Sequence, residues 1–262
     1  MSGVSFDVIA ERYDATRGFP IGVDETIASG ILAAAGVPPG ARFIEPGIGT
    51  GRFALPIAKR GYPYTGIDIS PRMLSQLRRK LDGTAARMDL IEADGTALPL
   101  PDASHDVAIT AGMLHCVPDW RGVLNEICRV VKPGGLYIFE SETTTILRRA
   151  FDIEWQLLAL EYGAGRLHRG FSGGLEGVLA HLGVPRASTT TIILARWPVQ
   201  ATIEELLSMF RERIVSICWD IPDDVYERMM RGMELWADEH YAGRRDTVLE
   251  SEATVTVTLI PL

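Results

Sequence analysis

Three glycines and three carboxylates in the first hundred residues carry the chemistry this sequence offers. Residues 43–51 read FIEPGIGTG, with Glu45 closing an apolar run and Gly47, Gly49 and Gly51 at alternate positions after it. Glycines so placed allow a sharp turn and let a ligand approach the backbone with no Cβ in the way. A helix starting behind them adds free N–H groups and a partial positive charge. A dinucleotide fingerprint counted from Gly47 would need a third glycine where Arg52 stands. Glu45 would repel a pyrophosphate but attract an ammonium, directly or through water. The spacing therefore favours a nucleoside that bears a cationic amino acid over a nicotinamide dinucleotide. Asp68, in YTGIDIS, sits where a carboxylate can accept hydrogen bonds from both hydroxyls of a ribose. Its plainer reading is a loop Asp beside a helix cap, a task Ser70 already fills. Asp94, in IEADGTALPLP, can accept from an exocyclic amine such as that of adenine, with the apolar LPLP bordering the base. On its own an Asp-Gly pair is a common turn.

The elements that must position these groups alternate. Residues 22–36 read as a helix, broken by Pro38, Pro39 and Gly40. Strands follow at 41–45, 63–69, 87–92, 105–110 and 136–141, and helices at 50–61 and 121–131. A further helix is capped by Ser70 and has Pro71 at its first position, where a missing N–H costs nothing. This alternation predicts a doubly wound α/β fold with a mostly parallel sheet. Ahead of it, a short helix ending near Tyr13 is expected. After residue 145 the pattern changes: helices at 146–162, 174–183, 202–217 and 223–241, with strands at 188–195 and 251–260. We expect one domain over 1–262, with 145–180 and 200–245 as helical insertions capping the carboxyl ends of the strands.

Composition narrows the partners. The chain has 262 residues, 47% hydrophobic and 23% charged, with a formal net charge of −8. That balance argues against a nucleic-acid partner, which needs concentrated positive charge. The basic strip Arg78, Arg79 and Lys80 reads as the solvated end of a helix. Cys116, Cys128 and Cys218 show no metal-ligand spacing, so no metal is expected and the thiols read as reduced, buried and structural. No secretion signal or membrane span is evident, which makes the cytoplasm the expected location.

The ordered set EPGIGTG, GIDIS, EADGTALPLPDASHDVAIT, LHCVPDW and VVKPGGLYIFE resembles the small-molecule class I methyltransferases, among them the ubiquinone and menaquinone methyltransferase relatives. The resemblance covers about residues 6–141. It implies a Rossmann-like fold of seven strands whose last, here 251–260, is antiparallel. It implies S-adenosylmethionine as cofactor. Glu45, Gly47, Gly49 and Gly51 would cradle the methionine part, Asp68 would hold the ribose and Asp94 the adenine amine. The opening FDVIAERYDATRG resembles the family's N-terminal helix, whose tyrosine, here Tyr13, closes over the cofactor.

The expected function is methyl transfer to a small organic acceptor, apolar or aromatic. The alternatives are a regulatory module that binds the cofactor without turnover and a nicotinamide oxidoreductase, which the glycine spacing and Glu45 oppose. In-line transfer from a sulfonium chiefly requires alignment and desolvation of the acceptor, and a base only when the acceptor starts protonated. His115 is the candidate base, with a plainer reading as a packing residue. His168 and Glu142 are weaker candidates. Trp155, Tyr162, Phe171, Trp197, Trp219, Tyr226 and Trp236 fill a core or line an acceptor pocket. Acceptor identity and oligomeric state are left open.

Overall fold

The computed structural model describes residues 5–142, 146–165, 167, 171 and 173–262, with Glu142 described in its backbone alone. His168 and the side chain of Glu142 lie outside the described residues.

A 3-10 turn over Asp7–Ile9 leads into α1 (Tyr13–Arg17), so Tyr13 opens a helix instead of closing one. α2 (Val23–Ala35) ends on Gly36 in the left-handed conformation, a common helix stop. Then come β1 (Phe43–Pro46), α3 (Ala54–Lys59), β2 (Tyr64–Asp68), α4 (Pro71–Leu81), β3 (Met88–Glu92), β4 (His105–Thr110), α5 (Trp120–Val130) and β5 (Val131–Glu142). The Ser70 cap is present: its hydroxyl accepts from the Met73 N–H at 3.0 Å. β1, β2, β3, β4 and β5 pair in parallel. On one face of the sheet Ile44, Ala108 and Tyr137 pack with Val123, Leu124 and Ile127 of α5, the apolar stripe an amphipathic helix must bury.

The remainder runs α6 (Arg149–Glu161), α7 (Gly174–Leu182), β6 (Thr190–Thr202), α8 (Ile203–Arg211), α9 (Asp223–His240) and β7 (Val248–Pro261). The sheet order is β3-β2-β1-β4-β5-β7-β6. β7 is antiparallel to its neighbours. Its end meets the start of β5 through Gly134 and Leu262, and Thr191 with Thr258 and Arg196 with Glu252 pair it head to tail with β6. This is the Rossmann-like arrangement with an antiparallel last strand. β6 extends well past the expected 195, through Pro198. An edge strand tolerates a proline, because its outward N–H has no ladder partner to lose. The helix expected over 202–217 stops at Arg211, and Arg213 adopts a positive φ of 51° before a 3-10 turn at Ser216–Cys218.

The chain divides into two compact units, Met1–Ser141 with Gly170–Ala195 and Val255–Leu262, and Glu142–Arg169 with Arg196–Thr254. α7, grouped by sequence with the cap segment 145–180, belongs to the first unit: Val178 and Leu179 join the α5 core. The second unit has its own core, in which Phe151, Trp155 and Leu158 of α6 meet Leu207 and Phe210 of α8 and Tyr226, Met229 and Met233 of α9. Among the described residues no helix is long and apolar enough to cross a membrane.

Candidate functional site

The strand order reverses between β1 and β4, and the loops after the strand ends of β1 to β4 meet there. α/β sheets bind their ligands at such a switch point. A cleft opens here within the first unit. Its wall takes Gly47 and Gly49 from the loop after β1, Asp68 and Ile69 from the end of β2, Ala93 to Gly95 after β3, and Ala111 to Met113 after β4. Phe6 and Tyr13 from the N-terminal segment complete it. Five expected site residues, Tyr13, Gly47, Gly49, Asp68 and Asp94, are therefore brought together.

The glycine loop is held from within. The N–H groups of Gly47 and Ile48 donate to the Ile67 carbonyl at 2.7 and 3.0 Å, and that of Gly51 to the Ile48 carbonyl at 2.9 Å. The Gly49 N–H donates to Asp68 Oδ2 at 2.8 Å. Gly47, Gly49 and Gly51 all have positive φ, of 73°, 56° and 76°, a region that side chains disfavour. A Cβ on Gly47 would stand 2.7 Å from that of Met113, and one on Gly51 would stand 2.6 Å from Leu77 of α4. Gly51 thus serves the packing of loop on helix and does not line the cleft. α3 spans Ala54–Lys59, and the Leu55 N–H donates to the Gly51 carbonyl at 2.9 Å, so a helical turn begins at the end of the loop, as the sequence predicts.

Asp68 is the best-anchored acid of the cleft. Its Oδ1 accepts the Ser70 N–H at 2.8 Å, opposite the Gly49 bond to Oδ2. Burial raises its pKa, against the lowering effect of those backbone donors. Asp94 accepts both the N–H and the hydroxyl of Thr96 at Oδ1, at 2.9 and 2.8 Å.

Glu45 is placed differently from expectation. It is 2% exposed, lies outside the cleft lining and accepts the Tyr64 hydroxyl at Oε2, 2.7 Å away. Burial pushes its pKa up to about 8, so the group is largely neutral at neutral pH. The register pairs Glu45 with Gly66, so its side chain shares a sheet face with Tyr64 two residues earlier. His115, in the 3-10 turn Leu114–Cys116, is exposed and is not among the lining residues, whereas its neighbour Cys116 is buried in the wall.

The N-terminal segment is tied to the same loops. The Ser70 hydroxyl donates to Asp7 Oδ1 at 2.6 Å, and the Thr50 hydroxyl to Asp14 Oδ1 at 2.6 Å. Lys80 bridges Asp14 Oδ2 at 2.5 Å and the Thr50 carbonyl at 2.9 Å. It is therefore a tie and not simply a solvated helix end. Sequence reasoning missed the lining residues Phe6, Ile69, Met73, Met113 and Val117. Only Phe6 had a signal, its place in FDVIAERYD. Of the thiols, Cys116 and Cys218 are buried but Cys128 is exposed, which corrects one of three.

Known proteins share these features. Residues 44–139 match the family described as "Methyltransferase domain". An uncharacterized methyltransferase of Mycobacterium sp. (strain JLS) is 31% identical over 207 residues, 72% of this chain and 78% of that one. A demethylmenaquinone methyltransferase of Clavibacter sepedonicus is 31% identical over 159 residues, 59% of this chain and 64% of that one, so the chain spans just under two thirds of that relative. It spans 38% of an uncharacterized protein of Mycobacterium bovis that is 32% identical over 105 residues, 40% of this chain. Among solved structures, the YcgJ protein of Bacillus subtilis has a TM-score of 0.58 at 15% identity, over 90% of this chain and 97% of that one. A putative methyltransferase from Bacillus halodurans C-125 has a TM-score of 0.56 at 14% identity, over 89% and 97%. Such identities speak for the fold alone. Fold, motif order and the Mycobacterium relative together make the chain a member of the class I S-adenosylmethionine-dependent methyltransferases.

Proposed function

We propose that the protein transfers the methyl group of S-adenosylmethionine to a small organic acceptor, apolar or aromatic in character. The observation that carries this is the convergence of Gly47, Gly49, Asp68 and Asp94 on one cleft at the strand-order switch. The residues fit that cofactor. Each oxygen of Asp68 accepts one backbone N–H and keeps a lone pair for a ribose hydroxyl. Asp94 uses Oδ1 on Thr96, which leaves Oδ2 for an exocyclic amine. Ile69, Met73, Met113 and Val117 supply apolar wall for a flat base.

When bound, the cofactor supplies an electrophilic methyl group on a sulfonium with a neutral thioether as leaving group. The chain's residues orient and desolvate. Asp68 would fix the ribose and Asp94 the base, and the loop at Gly47 and Gly49 would receive the amino-acid end, with Gly51 anchoring that loop on α4. Phe6 and Tyr13 exclude water from the cleft. Glu45, held by Tyr64 behind the loop, would stabilise the ammonium electrostatically if its proton were given up to solvent. His115 is the proposed base for acceptors that start protonated. The segments 145–180 and 200–245, without α7, which packs on α5, are proposed as the part of the chain that selects the acceptor. The aromatic content of these helices supports an apolar or aromatic acceptor, as does the printed name of the Clavibacter relative.

A regulatory module without turnover is the less favoured reading, given relatives named as methyltransferases. Titration with S-adenosylhomocysteine and with NAD, followed by turnover on a panel of small acceptors, tests the proposal. Binding of the first ligand alone and methylation of at least one apolar acceptor are expected. Tight NAD binding would overturn the cofactor assignment. Cofactor binding without turnover on any acceptor would favour the regulatory module.

A further inference from the structure

α6 is buried on one side only. Phe151, Trp155, Leu158 and Ala159 enter the core of the second unit, while Ile153, Leu157 and Leu160 are 57%, 53% and 55% exposed. With exposed Ala150 these residues fall at 150, 153, 157 and 160, alternating steps of three and four. That is the a/d spacing of a coiled-coil seam, which needs a second helix to cover it.

We propose that the stripe is the seam of a homodimer, in which α6 packs antiparallel on α6 of a second copy of this chain. The stripe is symmetric about position 155. An antiparallel, two-fold pair then sets Ala150 against Leu160 and Ile153 against Leu157, small against large at the ends and branched against branched at the centre. The same register sets Arg149 opposite Glu161. Both are exposed, and neither has an ion-pair partner among the described residues. Twelve positions separate them, about 18 Å along a helix, too far to pair within one chain. A patch that complements itself in both shape and charge is what an isologous interface requires. A lipid surface fits less well. The seam is flanked by Asp152, Glu154 and Glu161 against Arg148 and Arg149, and the chain carries a net charge of −8, so an anionic bilayer would repel it.

Sedimentation velocity and light scattering on the full chain, over micromolar to submillimolar concentrations, test the proposal. A reversible monomer–dimer equilibrium is expected. Leu157→Glu, on an exposed position, should leave the circular dichroism spectrum unchanged and weaken the dimer by about tenfold or more, as loss of a central anchor does. Arg149→Glu and Glu161→Arg should each weaken it about threefold by placing like charges across the seam. The double variant Arg149→Glu/Glu161→Arg should restore it, which no contact within one chain would produce. A monomer at every concentration, a dimer indifferent to Leu157→Glu, or a double variant no better than the singles would overturn the proposal. Flotation of the parent chain, but not of Leu157→Glu, with anionic vesicles would overturn it in favour of a membrane.

Discussion

The cleft after β1 to β4 and the helical unit of 142–169 and 196–254 are built from different materials. The cleft and the loops behind it are made of backbone held in unusual conformations and short polar side chains, several fixed by partners distant in sequence: Asp68 by Gly49, Ser70 by Asp7, Thr50 by Asp14. The helical unit is made of large apolar side chains whose places follow from helical spacing, with Trp155 packed among Phe210 and Tyr226 at ring distances of 5.2 and 5.4 Å. The first construction gives geometry for a polar ligand at little cost in packing. The second gives stability and leaves ligand chemistry unspecified. Damage to the cleft should therefore register mainly as lost affinity, and damage to the helical unit as lost stability with affinity intact.

The largest expected effect tests the second half of that statement. Trp155→Ala removes a side chain with no exposed surface and should cost about 3–5 kcal/mol of stability by chemical denaturation. The affinity of the folded fraction for S-adenosylhomocysteine should stay within about twofold. A large loss of affinity would mean that the two regions are coupled.

Asp68→Ala is the mirror experiment. Charge-assisted bonds to two ribose hydroxyls, at about 1.5–3 kcal/mol for a hydrogen bond to a charged group, predict affinity about 10- to 100-fold weaker by calorimetry. Asp68→Asn should fall between. A deoxyribose ligand should cost the parent more than it costs the alanine variant. Because Asp68 also accepts from Gly49 and Ser70, the alanine variant should lose about 1–3 kcal/mol of stability, more than a free loop acid would. Equal losses with both ligands in both proteins would reject the ribose contact.

Glu45→Gln sharpens the comparison inside the cleft region. A carboxyl raised from 4.5 to about 8 in the folded state contributes stability that is full below about 4.5 and lost as pH rises through about 8. Parent stability should therefore fall across that window, with a slope approaching about 1.4 kcal/mol per pH unit for one proton. The glutamine variant should lack that component. If the arriving ammonium ionises Glu45, the heat of S-adenosylmethionine binding near neutral pH should depend on the buffer's ionisation enthalpy in the parent and not in the variant. Identical pH profiles for the two proteins would place the titration elsewhere.

The smallest expected change in cofactor affinity is that of His115→Ala, within about twofold, because the exposed side chain does not line the cleft. Its role as a base would appear only in turnover with an acceptor that must lose a proton, where about a hundredfold loss is the usual scale. No loss with such an acceptor would remove His115 from the mechanism.

Local signals carried most of the fold. β4 runs from His105 to Thr110 as its sequence predicts, and α4 begins at the Ser-Pro pair that caps it. Both depend on residues a few positions apart. What was not legible depends on approach from elsewhere in the chain. Nothing local to Glu45 tells that Tyr64 will cover it, and nothing local to Gly51 tells that Leu77 will press against it. Nor does α7 announce that its apolar face will join α5 and not the helices around it in sequence. The acids and glycines of the cleft were legible because few other residues tolerate those positions. Its apolar wall was not, because Ile69, Met73 and Met113 are of types found in any core.

The ties between the N-terminal segment and the loops around the cleft have a kinetic consequence. Phe6 and Tyr13 form part of the wall, so a swing of residues 5–17 would widen the path for a ligand of nucleoside size. That swing breaks the Asp7–Ser70 and Asp14–Thr50 bonds and the Lys80–Asp14 ion pair, whose side chains are 31% and 43% exposed. A pair so exposed is screened by salt. Association and dissociation should both quicken as ionic strength rises, while their ratio moves much less. The lifetime of the bound state would then be governed by a local latch, not by the contacts that hold the ligand.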